Sequence, residues 1–187
     1  MSTPARPEPA GPTDPTDPTD PTMPTQRLPD GHYTVAAERC IVRFRAKAFG
    51  LLWVRGQLPV AAGTFEVRAD RVHGAGELAA DAIDTGLGPR DWHLRSSHYL
   101  RTADHPRIRV RTDAGTLNAP QLTCNVTVRG VEPPVALAVE GVEHEGASVR
   151  ITLRTALDRS PYPMLPPLAG VSRVVHLEVD LVATPAH

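Results

Sequence analysis

Residues 149–156 read VRITLRTA, and the period of this stretch recurs along most of the chain. Its odd-numbered positions are apolar as far as Leu153, and its even-numbered positions alternate between arginine and threonine as far as Arg154. Because successive side chains of a β-strand point to opposite sides, this period of two predicts a strand with one buried and one solvated face.

The same alternation predicts further strands at 40–47, 107–112, 122–129 and 175–181, with others at about 53–60, 63–69, 75–83 and 134–141. Glycines and prolines between these stretches mark turns. Eight or nine one-sided strands predict an all-β fold, a single antiparallel eight-stranded barrel that buries the apolar faces and removes the sheet edges. A two-sheet sandwich is the alternative, because alternation alone fits both.

The N-terminal segment differs in composition from the rest. Residues 12–22 read PTDPTDPTDPT and hold no hydrophobic side chain. Such a segment cannot offset its ordering entropy, so we predict a disordered Pro/Thr/Asp-rich tail over 1–30 that can be deleted without loss of stability. The barrel domain is then predicted at 31–184, followed by a short C-terminal tail at 185–187.

Composition and charge exclude several classes of function. The 187 residues carry a formal net charge of −1, which supports neither nucleic-acid binding nor a membrane-surface role. The sequence contains no run of 18 apolar residues, so we expect no integral membrane segment. The N-terminus lacks a secretory signal pattern, and Cys40 and Cys124 lack metal-type spacing, so we expect a cytoplasmic protein with reduced thiols.

One segment breaks the alternation. Residues 84–100 read DTGLGPRDWHLRSSHYL, and Pro89 suits the first position of a helix. We predict a short helix at about 89–97 that covers the barrel mouth and acts as a gate. Trp92, Leu94 and Tyr99 are predicted to pack inward.

The densest polar cluster of the sequence lies in this segment and comprises Arg90, Asp91, His93 and Arg95. Arginine forks bind phosphate or carboxylate bidentately, so the cluster is a candidate head-group site with Arg90 and Arg95 at the rim. The alternative, which we favour, is a structural network that ties the helix to the barrel mouth.

Several short motifs occur in the sequence, in chain order VRG at 54–56, IDTG at 83–86, RDWHLRS at 90–96, Pro106, LTCNVTVRGVEPPV at 122–135 and DRSPYPM at 158–164. Together they resemble the motifs of the YceI-like family, whose pattern is IDTG…RDxHLRS…FP. The resemblance implies a lipocalin-like barrel with an elongated apolar cavity. It also implies non-enzymatic binding, carriage or storage of a long amphiphilic lipid, such as a polyisoprenoid, an isoprenoid quinone or a fatty-acid derivative.

The chain departs from the family pattern at positions where a polar head group could be bound. Arg39 stands where the family usually has a histidine, and Ala48 lies near the place of a second one. The family's RSDFG-type loop has become RSPYP at 159–163. These departures leave the expected fold unchanged but weaken any assignment of the head group.

The inward apolar faces of the strands are the main candidate for a ligand-binding site. Aromatic residues are scarce and several inward residues are small, which favours a cavity over a filled interior. These small residues are Ala46, Ala48, Cys124 and Thr155. A solid-core interaction module without a ligand is the alternative function. The predicted cavity lining comprises Val42, Phe44, Ala46, Leu122, Cys124, Val126, Leu137, Val139, Ile151, Leu153, Leu177 and Val179.

Catalytic and cofactor chemistry receives little support from the sequence. Ser96, His93 and Asp91 have the residue types of a hydrolase triad, but spacings of two and three on one short helix do not align them. His93 and His98 are five residues apart rather than the four of a helical metal pair. We therefore expect no enzyme activity, no metal and no cofactor, with an isologous homodimer as the default assembly.

Overall fold

The computed structural model describes residues 27–165 and 170–186, so residues 1–26 of the tail predicted at 1–30 lie outside the described residues. Within them the chain forms nine antiparallel strands and one α-helix. The strands are β1 (Gly31–Val35), β2 (Ile41–Ala48), β3 (Leu52–Arg68), β4 (Arg71–Ala79), β5 (Arg107–Gly115), β6 (Gln121–Thr127), β7 (Pro134–Glu145), β8 (Ser148–Asp158) and β9 (Val171–Pro185), and helix α1 spans Gly88–Arg95.

The strands form one closed barrel, which confirms the predicted fold. Neighbouring strands pair in the order β1-β3-β2-β9-β8-β7-β6-β5-β4, and pairing of β3 with β4 closes the cylinder. β2 pairs with β3 and β9 over one half of the barrel, and β1 pairs with the same two strands over the other half. The barrel therefore has eight strand positions although the chain supplies nine strands.

Three features distinguish the observed strands from the predicted ones, namely a bulge, a 3₁₀ turn and a short additional strand. The segments predicted at 53–60 and 63–69 are one strand, β3, with a register shift between Val60 and Ala62. The segment predicted at 75–83 is shifted, because β4 ends at Ala79 and a 3₁₀ turn follows at Ala80–Ala82. β1 was not predicted, since five residues show too little alternation to be recognised.

The barrel core contains two hydrophobic clusters. The first lies towards the β3–β4 and β5–β6 turns and includes Val72, Leu117 and Leu122. The second lies beneath the α1 segment and the β8–β9 connection and includes Ile83, Leu100 and Tyr162. Both are built from the inward side of alternating strands, so the interior is apolar along its length.

The described residues before β1 pack on the barrel. Leu28 is a buried member of the first cluster, and the Tyr33 hydroxyl donates to the Pro29 carbonyl at 2.9 Å. The Asp30 carboxylate accepts from the Ala69 amide at 3.1 Å. The division at residue 30 remains a prediction, but removing Leu28 with the tail would expose core surface.

Helix α1 lies near the predicted position but presents a different face. Its inner side carries buried Asp91 and half-buried Leu94, whereas Trp92 is 73% exposed. The prediction that Trp92 packs inward with Tyr99 is therefore wrong. Helical spacing would align the two only if the helix continued to Tyr99, but it ends at Arg95 and only Tyr99 reaches the core.

Candidate functional site

An apolar cavity of about 180 Å³ lies inside the barrel, between the two clusters. All nine strands contribute residues to its boundary, β1 through Val35 alone. Nine of the twelve residues predicted to line a cavity surround it: Val42, Leu122, Cys124, Val126, Leu137, Ile151, Leu153, Leu177 and Val179.

Gly76 leaves space on the β3–β4 side of the cavity wall, where other strands carry valine or leucine. Gly63 and Gly74 lie on the same side, but Val35 and Phe65 fill the space beside them, since a Cβ atom would lie 2.9 Å from the Val35 Cγ2 and 2.6 Å from the Phe65 Cβ. A Cβ atom at Gly76 would lie 3.5 Å from the Ala62 carbonyl oxygen and 4.0 Å from the Gly63 Cα, which are ordinary contacts. Of the small inward residues expected to leave a void, only Cys124 borders it.

Phe44, Ala46 and Val139 were predicted to line the cavity and do not. The ring of Phe44 packs over Gly56, where a Cβ atom would clash with it, and so occupies the interior beside the α1 segment. Ala46 lies further towards that end of β2, beyond Phe44. Val139 precedes a register shift in β7, after which Val142 faces the core. The cavity therefore lies deeper than strand alternation alone suggests.

Two polar side chains border the cavity without contributing charge. The Thr112 hydroxyl donates to the Thr123 carbonyl at 3.1 Å. Burial raises the pKa of the Cys124 thiol to about 11, although contact with Thr112 acts in the opposite direction. Cys124 is consequently a neutral thiol at neutral pH and behaves as a small apolar side chain.

Glu77 borders the cavity through its strand, but its carboxylate belongs to the outer surface. It accepts from the Arg109 Nε at 3.4 Å on the outer side of β5. The interior therefore favours hydrocarbon, and a charged group placed there would lose its hydration without a partner.

The polar cluster on α1 forms a network with the segment that precedes it. The Asp91 carboxylate is buried and accepts from the amide and the hydroxyl of Thr85. Arg90 donates to the Thr85 carbonyl at 2.7 Å, and Arg95 donates to the Ile83 carbonyl at 2.7 Å. These contacts hold the IDTG segment against the helix, so both guanidinium groups turn towards backbone rather than the rim. The expectation that they face the rim is therefore wrong.

His93 and Tyr99, the remaining predicted head-group residues, lie next to each other. Their rings meet edge to face with centroids 5.1 Å apart, and His98 lies 6.1 Å from His93. Tyr99 is buried, whereas His93 is exposed. No described residue of this cluster borders the cavity, and a contact between the cluster and a ligand stays a prediction.

Arg159 has a structural role that the sequence did not indicate. It is buried and donates to three backbone carbonyls, those of Leu165, Ser172 and Val171, at 2.6, 2.8 and 3.0 Å. Tyr162 nearby donates to the Val126 carbonyl at 3.2 Å, and burial raises its pKa to about 12. The only sequence signal was the motif resemblance, which marked the segment but assigned no contacts.

A second concavity of about 610 Å³ lies on the side of the barrel formed by β2, β3, β7, β8 and β9. Arg43, Arg45, Arg55 and Arg154 lie along it, together with His176. Arg43 pairs with Asp180 at 2.5 Å, and Arg154 pairs with Glu178 at 3.4 Å. This charged outer groove has no apolar enclosure and does not suit a hydrocarbon chain.

Other kinds of site find no support in the part of the chain that the structure describes. It contains no group of three or more histidine, cysteine or acidic side chains placed to hold a metal ion. None of its helices is long and apolar enough to cross a membrane. Cys40 and Cys124 are both buried and unpaired.

Sequence comparisons agree with the motifs. Residues 33–183 match the model of the YceI-like domain. The chain is 30% identical over 110 residues to a UPF0312 protein of Pectobacterium atrosepticum, and 31% identical over 110 residues to Protein YceI of Escherichia coli O17:K52:H18. Each match covers 54% of this chain and 55% of the relative, so the chain spans about half the length of the curated relatives it matches.

Solved structures show the same fold at low sequence identity. The barrel superposes on Burkholderia cenocepacia BcnA with a TM-score of 0.70 and 15% identity, covering 80% of this chain and 99% of BcnA. It superposes on a polyisoprenoid binding domain from Saccharophagus degradans with a TM-score of 0.61 and 14% identity, covering 82% and 98%. At this identity the likeness concerns architecture.

Proposed function

The chain belongs to the YceI-like family, and from that premise we propose that its barrel binds the hydrocarbon part of a long amphiphilic lipid. The ligand class is a polyisoprenoid, an isoprenoid quinone or a fatty-acid derivative. The protein carries or stores this lipid in the cytosol and does not transform it.

The apolar cavity is the observation that carries the proposal. Its wall is formed by valine, leucine, isoleucine and glycine, with Thr112 and Cys124 as neutral polar neighbours. Removing apolar surface from water contributes about 25 cal/mol per Å², so a hydrocarbon chain is the occupant that gains most from this interior. The polyisoprenoid binding domain with the same architecture adds support to that ligand class.

The cavity volume limits how much of the lipid is enclosed. Pockets for drug-sized ligands measure roughly 300–1,000 Å³, and this cavity measures about 180 Å³. We therefore expect it to hold a segment of the chain, with the polar head and remaining units outside, unless the barrel widens when the ligand enters.

A glycine replacement tests the site directly. Gly76→Val adds an isopropyl group to the cavity wall with only ordinary contacts at its Cβ atom. The matched control is Ala136→Val, which adds a similar group at an exposed position of β7 that does not border the cavity. We expect Gly76→Val to weaken binding of the fluorescent fatty acid cis-parinaric acid at least tenfold, and Ala136→Val to leave it unchanged.

Mass spectrometry of an organic extract supplies the complementary measurement. The full chain, purified without detergent, should release an isoprenoid or acyl lipid, and Gly76→Val should release much less. A bare wild-type protein that also fails to take up the probe would contradict the proposal and favour a solid-core interaction module. Equal losses in both variants would show that the effect comes from general destabilisation of the sheet rather than from the cavity.

The absence of catalysis is part of the proposal. Asp91 is held by Thr85, and the Ser96 hydroxyl donates to the His93 carbonyl at 2.7 Å, so these residues do not form a nucleophile–base pair. Hydrolysis of acyl esters by the wild-type chain, lost in His93→Ala, would contradict this point.

A further inference from the structure

The exposed large hydrophobic side chains are confined to one end of the barrel. Strand order alternates direction, so the β2–β3, β4–β5 and β6–β7 connections and helix α1 share an end. In the described ranges, every large hydrophobic residue that is well exposed lies in these connections or next to them: Phe49, Leu51, Leu52, Trp53, Leu87, Trp92 and Val131.

Four of these residues form the tip of the β2–β3 hairpin, which we call the apolar tip: Phe49, Leu51, Leu52 and Trp53. Leu51 is 86% exposed and Phe49 is 76% exposed. Monomeric proteins rarely expose clustered apolar side chains unless the patch contacts a partner or a membrane. The chain therefore presents a protruding apolar surface rather than a groove.

The turn at the apolar tip has an unusual residue for its backbone. Phe49 has φ 51° and Gly50 has φ 72°, and the Leu51 amide donates to the Ala48 carbonyl at 3.2 Å. Such two-residue hairpin turns favour Asn-Gly, because an aromatic residue is strained at positive φ. An exposed phenylalanine at this position is thus a destabilising choice for the isolated barrel.

Four basic side chains lie near the apolar tip, and three of them have no acidic partner among the described residues. Residues 41–58 hold Arg43, Arg45, Lys47 and Arg55 but no aspartate or glutamate. Of these, only Arg43 forms an ion pair among the described residues. The sequence-based expectation from net charge overlooked this local concentration, because acidic residues elsewhere in the chain balance it.

The arrangement of these cations is unfavourable in the protein alone. Arg45 lies directly opposite Arg55 on the neighbouring strand, and His176 lies opposite Arg45 on the other side. Like charges at directly opposed positions destabilise a sheet. Arg45 and Lys47 also flank the Trp53 ring, with their charged atoms 5.2 and 5.3 Å from its centroid.

We infer that the β2–β3 hairpin docks the barrel on an anionic lipid bilayer. The apolar tip enters the boundary between head groups and acyl chains, with the indole of Trp53 at the interface. Arg45, Lys47 and Arg55 then lie level with the phosphates. A convex tip suits a fluid bilayer, which needs no complementary pocket, and the anionic head groups relieve the repulsion between Arg45 and Arg55. This inference does not depend on the proposed cargo.

Vesicle sedimentation of the full chain tests the inference. The chain should sediment with vesicles of equimolar phosphatidylglycerol and phosphatidylcholine, much less with phosphatidylcholine alone, and less as salt is added. In a Trp92→Phe background Trp53 is the only tryptophan, and its emission should shift to shorter wavelength with the anionic vesicles.

Three double variants separate the contributions. Arg45→Gln with Arg55→Gln should weaken partitioning about 25-fold, since each cation near an anionic surface contributes about fivefold. Leu51→Ser with Leu52→Ser should weaken it at least tenfold while keeping the salt dependence. Arg68→Gln with Arg71→Gln, near the β3–β4 turn at the opposite end, is the control and should bind like wild type.

Several results would overturn the inference. One is that the wild-type chain does not bind anionic vesicles. Another is that it binds phosphatidylcholine vesicles as strongly as anionic ones. Equal weakening by the control at the opposite end would indicate charge in general rather than this hairpin. If the wild type instead forms dimers that Leu51→Ser with Leu52→Ser disrupts, and does not bind vesicles, the apolar tip is an interface between copies of the chain.

Discussion

Two sets of arginines lie near the same end of the barrel and have opposite surroundings. Arg90, Arg95 and Arg159 direct their guanidinium groups at backbone carbonyls, inside or beside the core. Arg45 and Arg55 face outward, opposite each other, on the β2–β3 hairpin. The first set holds the connections in place, and the second leaves its charge available to a partner.

The difference shows why motif density is a poor guide to a binding site here. The cluster at 90–96 is the most recognisable part of the sequence, yet the fold uses Arg90, Asp91 and Arg95 to fix the segment before α1. The hairpin carries no motif of comparable length. The hairpin is a candidate binding surface because its cations, Arg43 excepted, have no acidic partner among the described residues, and because Leu51 and Leu52 are exposed.

The largest expected effect concerns the first set. Asp91→Ala should lower the free energy of unfolding by about 3 kcal/mol, because it leaves the Thr85 amide and hydroxyl without their buried carboxylate acceptor. Urea denaturation would measure it. Asp104→Ala, which removes an exposed partner of Arg101, is the control and should cost less than about 1 kcal/mol. Equal costs would break the distinction between the two sets.

Arg159→Lys should have the next largest effect, about 2 kcal/mol, because a single ammonium cannot reproduce a planar fork that bonds three carbonyls. Arg111→Lys on the exposed side of β5 should change stability by about 0.5 kcal/mol or less. Thermal unfolding followed by circular dichroism distinguishes them. If Arg159→Lys leaves the stability unchanged, the positive charge alone, rather than the geometry of the guanidinium group, holds the β8–β9 connection.

Arg55→Gln should leave stability unchanged or raise it by up to about 0.5 kcal/mol, because it relieves repulsion with the opposing Arg45. The comparison variant is Arg95→Gln, which removes a contact to the Ile83 carbonyl and should lower the melting temperature. A clear loss of stability in Arg55→Gln would show that Arg55, like Arg95, helps to hold the fold, and it would weaken the docking inference.

The smallest effect concerns Arg173, which is exposed but paired. Its guanidinium donates to the Asp158 carboxylate at 2.5 and 3.0 Å and holds the pKa of Asp158 below its ordinary value. This contribution to stability is complete above the unfolded-state pKa of aspartate, about 3.9, and is lost as pH falls through the lower folded pKa. The small difference in melting temperature between wild type and Arg173→Gln should therefore disappear on acidification, whereas a difference that persists would exclude the ion pair as its source.

Strand alternation predicted the barrel because each apolar face has to be buried. It also predicted most of the cavity wall, since residues such as Ile151, Leu153 and Val179 keep their inward direction throughout a regular strand. Alternation gives direction but not depth. It could not show that Phe44 covers Gly56, or that Gly76 leaves space where other strands carry larger side chains.

Helix contacts were less predictable for a different reason. The face of α1 depends on where the helix ends, and it ends at Arg95, four residues before Tyr99, so helical spacing does not align Trp92 with Tyr99. The cations near the apolar tip were missed because net charge averages over the chain and hides a local concentration. Leu28 was assigned to the tail because one hydrophobic residue beside prolines does not reveal which surface it meets.

The shared position of β1 and β2 has a consequence for how the barrel folds. Both strands must meet β9 from the far end of the chain, and the Cys40 thiol donates to the Val182 carbonyl 142 positions away. Contacts between such distant residues form late, because they close the largest loop. The seven remaining strands are joined to their sequence neighbours and can assemble first. Cys40 therefore lies at the seam that seals the cylinder, where thiol labelling during refolding would time the final step.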